Sequence, residues 1–387
     1  MEQERYLSDR VKSIQTSEIR HFFNMAGEVK GAISLSLGQP DFVTPKHIID
    51  AAVKALNEGH TFYTHNMGLL ELRKEISHFL SRRHSITYNP DTEIIVTIGV
   101  SQAIDTALRA LVSEGDEVII PQPSFVTYKP CVIMAGAVPK FVPTFEEDNF
   151  ILRPDILESN ITERTKVLIL NYPNNPTGAI MTRDELAAIA EVVKRRDLIV
   201  ISDEIYSELT YGVDYTSFAS LPDMWDRTIT VNGFSKTYAM TGWRLGYIAA
   251  PEGFIKEMVK VHQYTVTCAP SMGQYAAIEA LKNGDNDIKN MVEEYDKRRK
   301  FLLDEVRNMG LHCFEPRGAF YIFPSIKNTS LTSDEFATRL LYEGKVAVVP
   351  GTAFGKNGEG FIRLSYASSM DDLKEAAKRM RDFLKKL

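Results

Sequence analysis

The sequence predicts an α/β fold, a mostly parallel seven-stranded sheet between layers of helices with a smaller α+β unit beside it. Short β-branched runs alternate with helical patterns through the middle of the chain, the order that builds parallel sheets. Several runs are almost continuously apolar, as strands covered on both faces are. Near residue 285 the rhythm changes to a long helical pattern followed by short strands.

Taken in order, the expected strands are Glu93–Ile98, Glu117–Ile120, Val138–Val142, Val167–Leu170, Leu198–Ser202, Thr228–Asn232 and Leu245–Ala249. Between them Leu186, Ile189, Ala190 and Val193 recur at helical spacing, opened by the capping box Thr182-x-x-Glu185. Ile288, Met291, Val292, Tyr295, Leu302, Leu303, Val306 and Met309 predict a long helix reaching toward a second unit. That unit has expected strands around Ala319–Phe323 and Phe361–Ser365, and a final helix carrying Leu373, Ala377, Met380 and Leu384. The expected division is a large domain over 46–285, with a small domain made of 1–45 and 286–387. The N-terminal segment is expected to join the small unit or to cover the cleft.

Composition narrows the function. A chain of 387 residues suggests about two domains, and 44% hydrophobic with 25% charged residues excludes disorder. A net charge of −6 gives no electrostatic footprint for nucleic acid or an anionic membrane. The basic run from Asp296 to Lys300 reads as a solvated helix face. No apolar stretch approaches the ~20 residues that span a bilayer, and the charged N-terminus has no signal-peptide core. Cys131, Cys268 and Cys313 are odd in number and far apart, which fits a reduced cytoplasmic protein without a disulfide frame. The histidines form no metal-binding pattern, and His60 and His65 read as solvent-facing. No metal is expected.

Ligands of open α/β sheets bind beyond the carboxyl ends of the strands, so the residues after each strand matter most. No GxGxxG occurs, and the run Gly351–Asn357 is too short for a nucleotide phosphate loop. Gly99-Val100-Ser101 opens an amphipathic helix after the first strand, reading either as a phosphate site or as a bare serine N-cap. Asp203 ends a buried strand, as a helix cap or as the partner of a buried cation. Lys236 follows another strand and lies near Arg244 in the run Gly233–Tyr247. An amine among apolar groups and near a cation loses basicity and becomes able to attack a carbonyl, although an isolated lysine reads first as a surface residue.

Together these runs resemble the class I/II, fold-type I aminotransferases that depend on pyridoxal 5′-phosphate, in the subgroup of bacterial and archaeal aspartate, alanine and aromatic aminotransferases. The resemblance spans LSLGQPDF at 35–42, NPTG at 175–178, SDEIY at 202–206, SKTYAMTGWRLGY at 235–247 and FIRLSYA at 361–367, in that order. It implies that Lys236 holds the cofactor and moves the proton, and that Asp203 keeps the ring nitrogen protonated. Tyr206 and Asn175 would bond the ring oxygen, and Phe125 would stack on the ring. Gly99, Val100, Ser101, Ser235 and Arg244 would hold the phosphate. Some members have a serine three positions before the lysine, where Gly233 stands here. Tyr63 would reach the phosphate of a neighbouring subunit, which implies a homodimer with shared sites. Arg363 and Gly38 would bind the substrate α-carboxylate. Taken singly, Arg363 also reads as a strand arginine paired across the sheet, Tyr63 as a core aromatic, Gly38 as a turn glycine and Gly178 as a helix-entry glycine.

The implied activity is ping-pong transfer of an amino group from an L-amino acid to a 2-oxo acid such as 2-oxoglutarate. Aspartate-specific relatives carry a basic residue where Ser101 stands. The runs LSDRV, TITVNGFSKT and GAFYIFPSIK resemble the aromatic and alanine branches and a diaminopimelate-pathway transaminase. Aromatic or small neutral donors are therefore favoured. The alternatives are alanine, aspartate or N-acetyl-diaminopimelate transamination, and a C–S β-lyase. A regulatory protein with an aminotransferase-like domain would need an added DNA-binding domain, for which the sequence offers no segment.

Overall fold

The computed structural model describes residues 3–387. All seven expected central strands form, in the spatial order Ile94–Thr97, Gly246–Ala249, Thr228–Gly233, Ile199–Asp203, Thr165–Leu170, Glu117–Gln122 and Val138–Pro143. Gly246–Ala249 runs antiparallel to both of its neighbours, and every other pairing is parallel. The other six strands therefore end at one edge of the sheet. The segments after Thr97, Gln122, Leu170, Asp203 and Gly233 all leave from that edge, which is what assembles the site.

Alternation along each strand splits the core between the two faces. Ile201 packs with Ala103, Ile104, Ala107 and Leu108 of the helix Gly99–Leu111. Its neighbour Val200 packs with Leu186, Ile189 and Val193 of the helix Arg183–Arg195 on the other face. Burying each such side chain stabilises the fold by roughly 1.5–3 kcal/mol, so the sheet edge is a rigid mount. The helix Arg183–Arg195 opens with the expected capping box, the Thr182 hydroxyl and the Glu185 carboxylate each bonding the other's backbone N–H.

The long helix runs Asp285–Asn308. Beyond it, Val349–Pro350, Ile362–Ser365 and Tyr321–Ile322 form a three-stranded antiparallel sheet, flanked by helices Ser333–Gly344 and Met370–Leu384. The N-terminal strand Ile33–Ser34 pairs with Val346–Ala347. The basic run on the long helix is not a solvated face. Arg298 and Arg299 are buried and ion-paired, while Lys297 and Lys300 point outward. Helical spacing explains it: positions 298 and 299 share the inward stripe of Tyr295 and Leu302. No helix is long and apolar enough to cross a membrane, and no group of metal-binding side chains forms among the described residues.

Candidate active site

A cavity of about 290 Å³ opens at the carboxyl edge, lined by Gly38, Val100, Ser101, Phe125, Asn175, Asp203, Tyr206, Ser235, Lys236, Arg244 and Arg363 among others. These residues come from segments more than 300 positions apart in the chain, yet share one wall. Gly99 stands just behind Arg244. Tyr63 is not part of this wall; it is 86% exposed on the outer surface, which removes the core-aromatic reading.

Lys236 donates from Nζ to the carbonyl of Gly38 at 2.6 Å. Burial, then the charges of Arg244 and Arg363, lower its pKa to about 8, against the pull of Asp203. Asp203 lies buried at the end of its strand. It accepts from the Tyr128 hydroxyl at 2.7 Å and from the Ile205 N–H at 3.2 Å. Burial pushes it up to about 6 despite those bonds. The helix-cap reading of Asp203 fails, because residues 205–208 form a turn and no helix starts there.

Arg363 is 1% exposed and sits on the strand Ile362–Ser365. Its Nη1 donates to Asn175 Oδ1 at 2.9 Å and its Nη2 to the Ser36 carbonyl at 2.6 Å. The guanidinium lies 4.4 Å above the Tyr321 ring and 4.9 Å above Phe354, and its Nε has no partner. Among the described residues no carboxylate pairs with it, so the cross-sheet ion pair is excluded. A buried cation with an unused N–H calls for an anion from outside the chain. The Tyr206 and Tyr321 hydroxyls share a hydrogen bond of 2.9 Å at the same wall.

The glycine turn opens the helix Gly99–Leu111. Ser101 is not its cap. Ile98 holds that position, its N–H bonded to Gln102 Oε1, and Ser101 is the third residue of the helix, exposed at the cavity rim. Gly99 has φ +70°, and a Cβ there would stand 2.7 Å from Arg244 Nη2. Gly233 faces Gly246 across the strand pair, and a Cβ on it would stand 2.8 Å from the Leu245 carbonyl. One on Gly246 would stand 2.8 Å from the Val100 nitrogen. The glycine pair lets the turn lie directly on the strands, and leaves no room for a serine at 233. Gly178 is not a helix entry. With φ +75° it marks a crossing, where a Cβ would meet Pro316 at 2.5 Å.

Four residues of the site were not singled out from sequence. Tyr128 had a usable signal, since it stands one helical turn beyond Phe125 and meets it edge to face. Tyr321 was hidden in an apolar strand run. Asn171, which donates to the Asp203 carbonyl at 3.0 Å, and Ile19, from the helix Glu18–Glu28, gave no signal because only the fold brings them in.

The donor set fits pyridoxal phosphate with an amino acid. It offers an amine of lowered basicity, a buried carboxylate lacking a fixed cation, a glycine turn beside an arginine, and a buried arginine with an orphaned N–H. The comparisons agree. The family model for aminotransferase class I and II matches residues 30–380. The aspartate aminotransferase of Pyrococcus abyssi is 49% identical, over 98% of each chain. The aromatic-amino-acid aminotransferase 2 of Thermococcus litoralis is 46% identical, again over 98% of each. The crystal structure of an aromatic aminotransferase from Pyrococcus horikoshii superposes with a TM-score of 0.91 at 49% identity, over 94% of this chain and 99% of that one. Cavity, donor set and relatives lead to one conclusion: this chain belongs to the class I and II aminotransferases and is a pyridoxal-phosphate-dependent transaminase.

Proposed function

We propose that the enzyme takes an aromatic or small neutral L-amino acid as donor and a 2-oxo acid such as 2-oxoglutarate as acceptor, by a ping-pong route. The observation that carries the donor choice is the inventory of cations on the cavity wall. Among the described residues these are Lys236, Arg244 and Arg363, and Ser101 stands at the rim where aspartate-specific relatives have a base. Each of the three cations already has a task, so this protomer leaves none for a donor's side-chain carboxylate.

When bound, the cofactor's protonated ring supplies an electron sink for the electron pair left at the substrate α-carbon. Lys236, neutral above about pH 8, is the base that takes and returns the α-proton. Asp203 would keep the ring nitrogen protonated, with Tyr128 and the Ile205 N–H fixing the carboxylate's orientation. Tyr206 and Asn175 would bond the ring oxygen, and Phe125 would cover the ring face. The backbone N–H groups at Gly99–Ser101, with Ser235 and Arg244, would hold the phosphate. Arg363 grips the α-carboxylate, with Gly38 beside it.

The functional unit in this reading is a homodimer with a site shared between subunits. Phe62 and Tyr63, 82% and 86% exposed, stand together on the surface. A groove of about 620 Å³ along Pro40–Thr44 and Trp243 adjoins the cavity at Thr241, which supports a partner surface there. The reading also divides the chain into a large domain over 46–285 and a small one from 1–45 and 286–387, and places the enzyme in a reducing cytoplasm.

A donor panel with 2-oxoglutarate tests the substrate class. Phenylalanine, tyrosine or alanine should exceed aspartate in kcat/KM; aspartate in first place would overturn it. Pyruvate released from a sulfur amino acid without any acceptor would point to the lyase instead.

A further inference from the structure

The buried arginines of the long helix have no part in the chemistry above. One of them reaches the active site indirectly. Arg298 leaves the helix Asp285–Asn308 and places Nη1 at 2.8 and 2.9 Å from the two carboxylate oxygens of Asp41. Glu294 holds its Nε at 3.0 Å, and the guanidinium lies 5.2 Å over Phe42 and 5.8 Å over Tyr295.

Asp41 belongs to an irregular segment, residues 36–44, whose Gly38 lines the cavity while residues 39–44 line the adjoining groove. Among the described residues, the backbone groups of 37–44 make no hydrogen bond to another backbone group. The segment is held by side chains alone. Arg363 takes the Ser36 carbonyl and Lys236 the Gly38 carbonyl, each at 2.6 Å. At the far end the Thr44 hydroxyl donates to the Ala239 carbonyl at 2.7 Å and accepts from Trp243 at 3.0 Å. Arg298 supplies the middle anchor. Gly38 packs closely against Tyr321, where a Cβ would stand 2.5 Å from the hydroxyl oxygen. A segment without a backbone ladder takes its position from its anchors, and removing one frees several residues at once.

We propose that Arg298 is a positioning residue: by gripping Asp41 it fixes the 36–44 segment, so that the Gly38 backbone faces the carboxylate end of the cavity beside Arg363. This rests on the reading of Gly38 and Arg363 as the substrate-carboxylate contacts. Loss of the grip weakens carboxylate binding while leaving Lys236 and Asp203 in place. It therefore acts on KM and spares kcat.

The test uses the cofactor-loaded enzyme and its best amino donor, with 3-phenylpropanoate, a carboxylate lacking the amine, as binding probe. Arg298→Met and Asp41→Asn should each raise KM and the 3-phenylpropanoate Kd about tenfold, with kcat within about twofold of the parent. The double variant should be no worse than the worse single one, because both remove one contact. Asp41→Asn is nearly isosteric and decides the matter if Arg298→Met does not fold. Unchanged KM and Kd in the folded variant, a fall in kcat alone, or additive effects would each overturn the proposal. Arg363→Gln separates it from the reading beneath. If that variant still binds 3-phenylpropanoate normally, the carboxylate assignment fails and the Arg298 proposal falls with it. If it abolishes binding while Asp41→Asn changes nothing, only the Arg298 proposal fails.

Discussion

Burial and two nearby guanidinium groups bring the Lys236 amine down to about 8, so a useful fraction is neutral near physiological pH. Lys236→Ala should lose the borohydride-fixable cofactor bond and all transamination; a variant that keeps a reducible adduct in this cavity removes Lys236 from its role. Asp203 is the second test at this scale. A neutral amide cannot hold a proton on the cofactor ring, so Asp203→Asn should cost several powers of ten in α-proton abstraction, each about 1.36 kcal/mol of barrier. Near-normal abstraction in the folded, cofactor-loaded variant would refute this. The same carboxylate gives a pH signature in the cofactor-free protein. Its pKa is about 6 when folded against an ordinary value of 3.8, so between these values the folded state holds more protons than the unfolded one. Stability from this group is full below about pH 4 and declines as pH rises to about 6, by up to roughly 3 kcal/mol. Denaturant melts across that window should show the decline in the parent and not in Asp203→Asn. Parallel curves would mean that Asp203 titrates normally.

The glycine turn on the strand pair is the element that makes the proposed phosphate end possible. Gly233 and Gly246 oppose each other in register, and the Gly99–Val100 backbone rests on them. Gly233→Ser should therefore lower the melting temperature, as overpacking costs roughly 1–3 kcal/mol, without tightening cofactor binding. A serine variant of parent stability that retains the cofactor better would show that room exists. The central strands were legible because strands covered on both faces need continuous apolar runs, and the Thr182–Glu185 box announces its helix outright. Lys236, Asp203 and Arg363 were legible only as members of ordered motifs, each having an ordinary structural reading by itself. The structure removes the ordinary readings of Asp203 and Arg363, since no helix follows the first and, among the described residues, no carboxylate meets the second. Arg298 and Arg299 could not be placed from sequence. A run of basic residues looks solvated whatever its helical phase, and the Asp41 that neutralises Arg298 lies 257 positions away. Ile19 was invisible for the same reason, since tertiary contact leaves no local mark.

At the scale of the whole molecule, the question is whether one chain completes its own site. The cavity wall contains every expected cofactor contact except Gly99, just behind Arg244, and Tyr63, which stands on the outer surface beside Phe62. A large exposed aromatic pair is unfavourable in water, which is consistent with the proposed dimer surface. If Tyr63 serves a second subunit, defects in the two chains should complement each other. Tyr63→Phe subunits keep Lys236 but lack the donated hydroxyl, and Lys236→Ala subunits keep the hydroxyl but lack the amine. In a mixed dimer the intact lysine of one chain faces the intact tyrosine of the other, so one site is whole and the second is doubly defective. Random exchange of equal amounts makes about half the dimers mixed, so about a quarter of all sites are restored. Measured at limiting cofactor, where Tyr63→Phe homodimers lose it, activity should rise above the sum of the two separate preparations. The rise should follow the rate of subunit exchange, because no other route brings the two intact groups together. Exchange demonstrated by mass, with no gain in activity, would mean that Tyr63 serves its own subunit or none.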